Sequence, residues 1–250
     1  MPSGWIRYLL EQFEFDFELV FPQRLDAGDL TADFDVLIFP DGAVPAQDRG
    51  GRGGAGGGGT QAEAIPEEYR DRLGSVSVAT TVPQLLRFAR DGGTVIALGS
   101  STSLAEHARL PVRDHLIDPT TGGGLRSEEF FIPGSLLDVR LDRVSPLVHG
   151  LEDRLDVMYS RDPVFTLTSG AAARGVRRIG WFDSAAPLRS GWAWGQERLK
   201  EGTAFLEADL GAGHLFLFGP DITFRAQTHG AFPLLFNGIF YGPAEAMRLP

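Results

Sequence analysis

The apolar positions of this chain change rhythm several times, and each change predicts an element. Behind Ser3, a residue suited to a helix N-cap, Ile6, Leu9, Leu10 and Phe13 recur at helical spacing. Residues 17–21 (FELVF) then alternate like a strand and stop at Pro22. Residues 35–42 (DVLIFPDG) hold a continuous apolar run, the pattern of a strand covered on both faces. Residues 65–73 read as a short helix with Pro66 in its first turn. A longer helix starts near Thr81, carries Leu85, Leu86 and Ala89, and stops at Gly92-Gly93. Residues 94–98 (TVIAL) form a second buried strand, followed by a turn at 99–103 and a short helix at 104–109 that Pro111 ends. Helices alternating with buried strands predict a parallel α/β sheet.

Beyond Thr120 the rhythm is antiparallel. Gly122-Gly123-Gly124 marks a loop, and Leu137, Val139 and Leu141 alternate with Asp138, Arg140 and Asp142. Further strands are predicted at 164–167, 176–182, 203–209 and 214–218. The last two are joined by Leu210-Gly211-Ala212-Gly213, a tight hairpin signal, and an apolar helix at 231–240 follows. The expectation is one α/β domain over residues 1–250, a parallel half packed on an antiparallel one. Residues 46–64 interrupt it: GGRGGAGGGG at 50–59 cannot pack a core and predicts a flexible loop. A phosphate-cradling loop would continue with Lys and Ser/Thr, whereas Thr60-Gln61-Ala62-Glu63 follows here.

Composition narrows the chemistry. A chain of 250 residues, 43% of them hydrophobic, can bury a core without disulfides or a structural metal. A net charge of −10, with Arg174, Arg177 and Arg178 as the densest basic cluster, argues against nucleic acid. With no Cys, disulfides, thiolate catalysis and Cys-ligated zinc are excluded. No segment approaches the ~18 apolar residues of a membrane span, and no basic stretch followed by an apolar core marks a signal peptide.

Several residues are candidates for a site. Ser100 or Ser101 occupies the strand-to-helix turn where backbone N–H groups can stabilise an oxyanion. Such a serine needs a base, and His229 is the available one, although no acidic residue stands two positions after it. A structural turn of small residues is therefore the favoured reading. His149 and Glu152 have the His-x-x-Glu spacing of half a zinc site, but they stand in a Pro/Gly-bounded loop and are read as non-metal residues. Trp192 and Trp194 would share one face of an extended segment, as a ligand platform or, more simply, as rings closing a core edge. Arg225, beside Gln227 and His229, would hold a carboxylate or pin its loop. A ligand pocket is expected near Asp41, Gly99 and Arg225, at the C-terminal ends of the parallel strands.

Residues 92–101 (GGTVIALGSS) and 209–237 (DLGAGHLFLFGPDITFRAQTHGAFPLLFN) resemble two landmarks of the class I glutamine-amidotransferase-like fold. Residues 3–13 (SGWIRYLLEQF), 188–195 (LRSGWAWG) and 224–230 (FRAQTHG) resemble the C-terminal region of bacterial zinc carboxypeptidase-like proteins of the carboxypeptidase A type. The resemblance covers nearly the whole chain. It implies a flavodoxin-like, amidotransferase-like, mostly parallel sheet with an antiparallel C-terminal extension. It also implies an accessory, non-catalytic module whose partner is the peptidase domain of a zinc-dependent, exported parent. Zinc would belong to that peptidase domain; no cofactor or metal is expected in this chain. The alternatives are a serine hydrolase or amidase using Ser100–Ser101 with His229, and a small-ligand-binding module. Against the family's fold the first strand is missing and Met1 falls inside the first helix. An unpaired sheet there implies marginal stability or aggregation.

Overall fold

The computed structural model of the protein describes residues 2–47, 65–118 and 120–244, so most of the Gly-rich stretch lies outside the described residues. Helix α1 (Pro2–Gln12) forms as its spacing predicts and buries Ile6, Leu9 and Leu10, with Ser3 inside its first turn. After it come α2 (Pro22–Asp26) and β1 (Val36–Phe39). Then follow α3 (Thr81–Arg90), β2 (Thr94–Leu98) and α4 (Leu104–His107). The remaining strands are β3 (Val112–Asp114), β4 (Ser135–Leu141), β5 (Arg154–Tyr159), β6 (Phe165–Leu167) and β7 (Val176–Trp181). The chain continues through β8 (Leu188–Ser190), β9 (Thr203–Leu210), β10 (Gly213–Phe218) and α5 (Phe232–Tyr241).

The sheet runs β1-β2-β10-β9-β7-β4-β5, with β8 beside β4, and β6 bridging β9 to β3. Among the described residues only β1–β2 and β2–β10 are parallel, and from β9 outward every pairing is antiparallel. In the parallel part, alternate side chains enter two apolar layers. Ile96, Leu98, Phe216 and Phe218 meet Ile6, Leu10, Leu234 and Leu235 from α1 and α5 on one face. Val95, Ala97, Leu215 and Leu217 meet Leu85, Phe88 and Ala89 of α3 on the other. This two-sided burial explains why β2 and β10 read as unbroken apolar runs. Helix α3 stops where Gly92 takes φ +112° and Gly93 brings the backbone against the Phe88 ring, within 2.3 Å of where a Cβ would stand.

Two predicted elements differ from expectation, and strands β3, β5 and β8 form where none was predicted. Residues 17–21 make no strand. Alternation becomes a strand only where a neighbour accepts the backbone hydrogen bonds, and no ladder bond joins this segment to any strand among the described residues. Residues 67–72 form a 3-10 helix rather than an α-helix; Leu73 follows in extended backbone and stops it after a short run.

Candidate functional site

The loops after β1, β2 and β10 converge at the C-terminal ends of the parallel strands. Two of them follow the same pattern, an apolar strand and then Pro-Asp: Phe39-Pro40-Asp41 and Phe218-Gly219-Pro220-Asp221. Between them, β2 ends in Gly99 at φ +57°, a conformation glycine adopts readily. A Cβ there would stand 2.5 Å from Asp41 Oδ1, so the glycine lets the carboxylate lie against the turn.

The turn is held by hydroxyls rather than built to release one. The Ser100 backbone N–H and Oγ–H both donate to Asp41 Oδ1, at 2.8 and 2.6 Å, and Gly42 N–H donates to Ser100 Oγ at 3.0 Å. Ser101 is fully buried; its Oγ–H donates to the Pro40 carbonyl at 2.6 Å and accepts from Ala43 and Val44 N–H at 3.0 Å each. Ser103 Oγ–H donates to the Val44 carbonyl at 3.1 Å. The Ser100 N–H of this turn and the Gly42, Ala43 and Val44 N–H groups of the facing loop are thus already engaged.

His229 is exposed and lies against the Phe232 ring, 5.2 Å between centroids. Among the described residues no hydrogen bond joins it to Ser100 or Ser101, and the structure does not bring the three together as a triad. Arg225 has positive φ and stacks on its neighbour Phe224 at 5.0 Å, without a carboxylate partner among the described residues. His149 and Glu152 stand in the β4–β5 loop, where the His149 carbonyl accepts from Asn237 Nδ2 at 2.9 Å. No group of three metal-ligating side chains occurs among the described residues.

A cleft of about 550 Å³ opens beside Ser100. Its walls include Arg113, Phe130, Phe131, Arg161 and Asp162. The Arg161 guanidinium lies 4.8 Å over the Phe131 ring, and Trp192 meets the same ring edge-on at 5.8 Å. Trp194 is turned to the chain instead, its Nε1–H donating to the Glu128 carbonyl at 2.7 Å. Neither Arg113 nor Arg161 has a carboxylate partner among the described residues. Asp162 accepts from Ser160 N–H at 2.7 Å, yet burial, helped by the Asp221 and Asp41 charges, pushes its carboxyl up to about 7. At neutral pH it can donate a hydrogen bond as well as accept one. Arg161, with φ +59°, holds a conformation uncommon outside glycine, and such strain clusters at binding sites.

Of the residues the sequence singled out, Ser100 lines this cleft, Asp41 and Gly99 stand in the adjoining turn and Trp192 meets the cleft's Phe131, whereas Arg225 is not among the cleft's lining residues; Arg113, Phe131, Arg161 and Asp162 were not singled out. One signal was present: the repeated Pro-Asp after β1 and β10.

An open, mixed sheet with helices on both faces and its turns gathered at the strand ends is the flavodoxin-type, glutamine-amidotransferase-like α/β fold. Among similar solved structures is a GMP synthase-type protein of Thermoplasma acidophilum, 10% identical, with TM-score 0.53, covering 96% of this chain and 87% of that one. Another is a ThuA-like protein of Parabacteroides merdae, 13% identical, with TM-score 0.51, covering 99% of this chain and 87% of its own. Likeness at these identities concerns the fold. No protein-family profile matches the chain, and no curated protein matches it. Among the described residues no helix is long and apolar enough to cross a membrane.

Proposed function

We propose that this chain is a non-catalytic amidotransferase-like module that holds a small carboxylate-bearing ligand in the cleft beside Ser100. The observation that carries the reading is the commitment of both serines: Ser100 to Asp41, and Ser101 to the backbone of residues 40–44. A serine whose hydroxyl donates to a carboxylate, with no imidazole bonded to it among the described residues, lacks the Ser–His pairing that the hydrolase alternative requires. The cleft in turn offers two guanidiniums without ion partners beside an aromatic ring, a setting suited to an aromatic or peptide carboxylate.

The resemblance to the appended region of zinc carboxypeptidase-like proteins suggests the setting. A carboxypeptidase acts at a peptide's terminal carboxylate, so a neighbouring module that grips carboxylates would position substrate for it. The zinc would be the peptidase domain's, and that domain the partner.

The test is thermal denaturation with benzoate, the chain and its R113Q and R161Q variants side by side. Benzoate should raise the Tm of the chain and should do so less in either variant. An unchanged Tm at millimolar benzoate would sink the ligand reading. Labelling by a fluorophosphonate, lost in S100A, would replace it with the serine-hydrolase reading.

A further inference from the structure

Trp192 keeps 52% of its surface open to solvent, yet its backbone is fixed from both ends. Its N–H donates to Ser135 Oγ at 2.9 Å, and the same hydroxyl donates to its carbonyl at 2.7 Å, with Ser135 itself buried. The indole meets Phe131 edge-on, 5.8 Å between centroids. An indole is a large apolar surface to leave in water. Held in place and exposed, it can take a flat ligand with little further loss of side-chain freedom.

The ring adjoins the cleft beside Ser100, because Phe131 lines that cleft and the Arg161 guanidinium lies 4.8 Å over Phe131. A ligand whose carboxylate sits at Arg113 and Arg161 can therefore continue onto Trp192.

The main chain beside the ring offers nothing to a peptide strand. Phe131 and Trp194 exchange both backbone hydrogen bonds, at 2.9 and 3.0 Å, and Ser135 satisfies both backbone groups of Trp192. Strand addition needs free main-chain donors and acceptors. Here only ring faces and side chains remain for a ligand.

Those side chains are acceptors. Ser103, Glu106, Asp114 and Ser127 line the same cleft. Glu106 and Asp114 are exposed and have no ion-pair partner among the described residues. Carboxylates accept from O–H groups, and hydroxyls both accept and donate, so these walls suit a ligand rich in hydroxyls. They also disfavour a second anionic charge on it. A pyranose has an apolar face of C–H groups and a rim of hydroxyls. One carboxylate, many hydroxyls and a flat C–H face together describe a sugar acid. A purely aromatic acid would leave Glu106 and Asp114 unmatched.

Building on the carboxylate reading of the cleft, we propose that the cleft and Trp192 together bind a saccharide ending in a hexuronic acid. The carboxylate lies at Arg113 and Arg161, hydroxyls of the same ring donate to Glu106 and Asp114, and the neighbouring neutral sugar stacks on Trp192.

The test is isothermal titration calorimetry on the full chain with benzoate, hippurate, glucuronate, cellobiose and cellobiouronate, the disaccharide of glucuronate and glucose. Cellobiouronate should bind about tenfold more tightly than glucuronate, the gain expected of one added stacking contact. W192A should abolish that gain and W192F should restore part of it. R161Q should remove the preference for cellobiouronate over cellobiose. The ligand series in the unaltered chain decides the matter even if W192A fails to fold. Equal affinities for cellobiouronate and glucuronate, or a gain that survives in W192A, would overturn the sugar-acid proposal alone while benzoate still binds. Hippurate binding more tightly than cellobiouronate would make the ligand a peptide acid and overturn it likewise. No binding of any of the acids would overturn the carboxylate reading together with it.

Discussion

The sheet ends differently on its two sides. On the β4–β5 side, charge closes the edge. The Arg154 guanidinium bonds both Asp138 and Asp183, Arg189 adds contacts at 3.3 Å to Asp138 and Asp156, and Arg140 reaches Asp183 at 3.8 Å. Strand β5 itself alternates Arg154 and Asp156 with buried Leu155, Val157 and Tyr159. On the β1 side the four strand residues are Val, Leu, Ile and Phe, and no charge stands among them. Proteins guard exposed sheet edges with charged side chains because a bare edge recruits another strand. One edge of this molecule is guarded and the other is laid open between apolar walls. Exposure of an edge is thus something the sequence regulates strand by strand.

The strongest challenge to a two-sided view is a break at the seam. Phe205 of β9 packs 5.5 Å from Phe218 of β10 and lies over Gly180 of β7, so it touches both halves. F205A should cost about 3–5 kcal/mol and lower the urea midpoint in a single transition. Two separated transitions would mean that the halves fold independently. Next in size is the guarded edge. R154A would leave the nearly buried Asp138 short of its main cation and should cost about 3 kcal/mol by chemical denaturation. A loss within error would show the ion network to be ornamental.

A smaller effect is expected at the strand ends. The raised carboxyl of Asp162 binds its proton more tightly in the folded chain than in the unfolded one. Its favourable contribution is complete below the ordinary value of 3.8 and is lost as pH rises toward about 7. D162N should therefore raise stability at pH 8 by about 1–2 kcal/mol and flatten the pH dependence between those two values. An unchanged profile would remove Asp162 from the account. The smallest concerns the parallel half: the Thr94 hydroxyl is buried with no hydrogen-bond partner among the described residues. T94V should add about 1 kcal/mol, read as a raised Tm; destabilisation would mean that the hydroxyl is solvated after all.

How much of this was legible in the sequence follows the same division. Strands β2 and β10 and helix α3 were plain because each is buried on a periodic set of apolar positions. Strand β5 escaped because Arg154 and Asp156 interrupt its apolar residues, and their role emerges only once Asp138 and Asp183 are brought beside them. Residues 17–21 misled in the opposite direction: the side chains alternate like a strand, but pairing depends on a neighbour that their own sequence does not encode. At the strand ends, Asp41 and Gly99 stood out because they terminate buried runs. Arg113, Phe131 and Arg161 did not, since it is the pairing of β3 with β6 and the Phe131–Trp194 bridge that carry them to the cleft.

The contact between Ser100 and Asp41 also bears on what this turn can become. A single change of Ser100 to cysteine would set a thiol beside a carboxylate that already accepts the Ser100 N–H. Negative charge at that distance disfavours the thiolate, the form in which cysteine reacts. Thiol chemistry at this turn is therefore disfavoured for as long as Asp41 stands beside it. In evolutionary terms Asp41 acts as a ratchet: while it remains, a cysteine arriving at position 100 meets a neighbour that keeps it protonated.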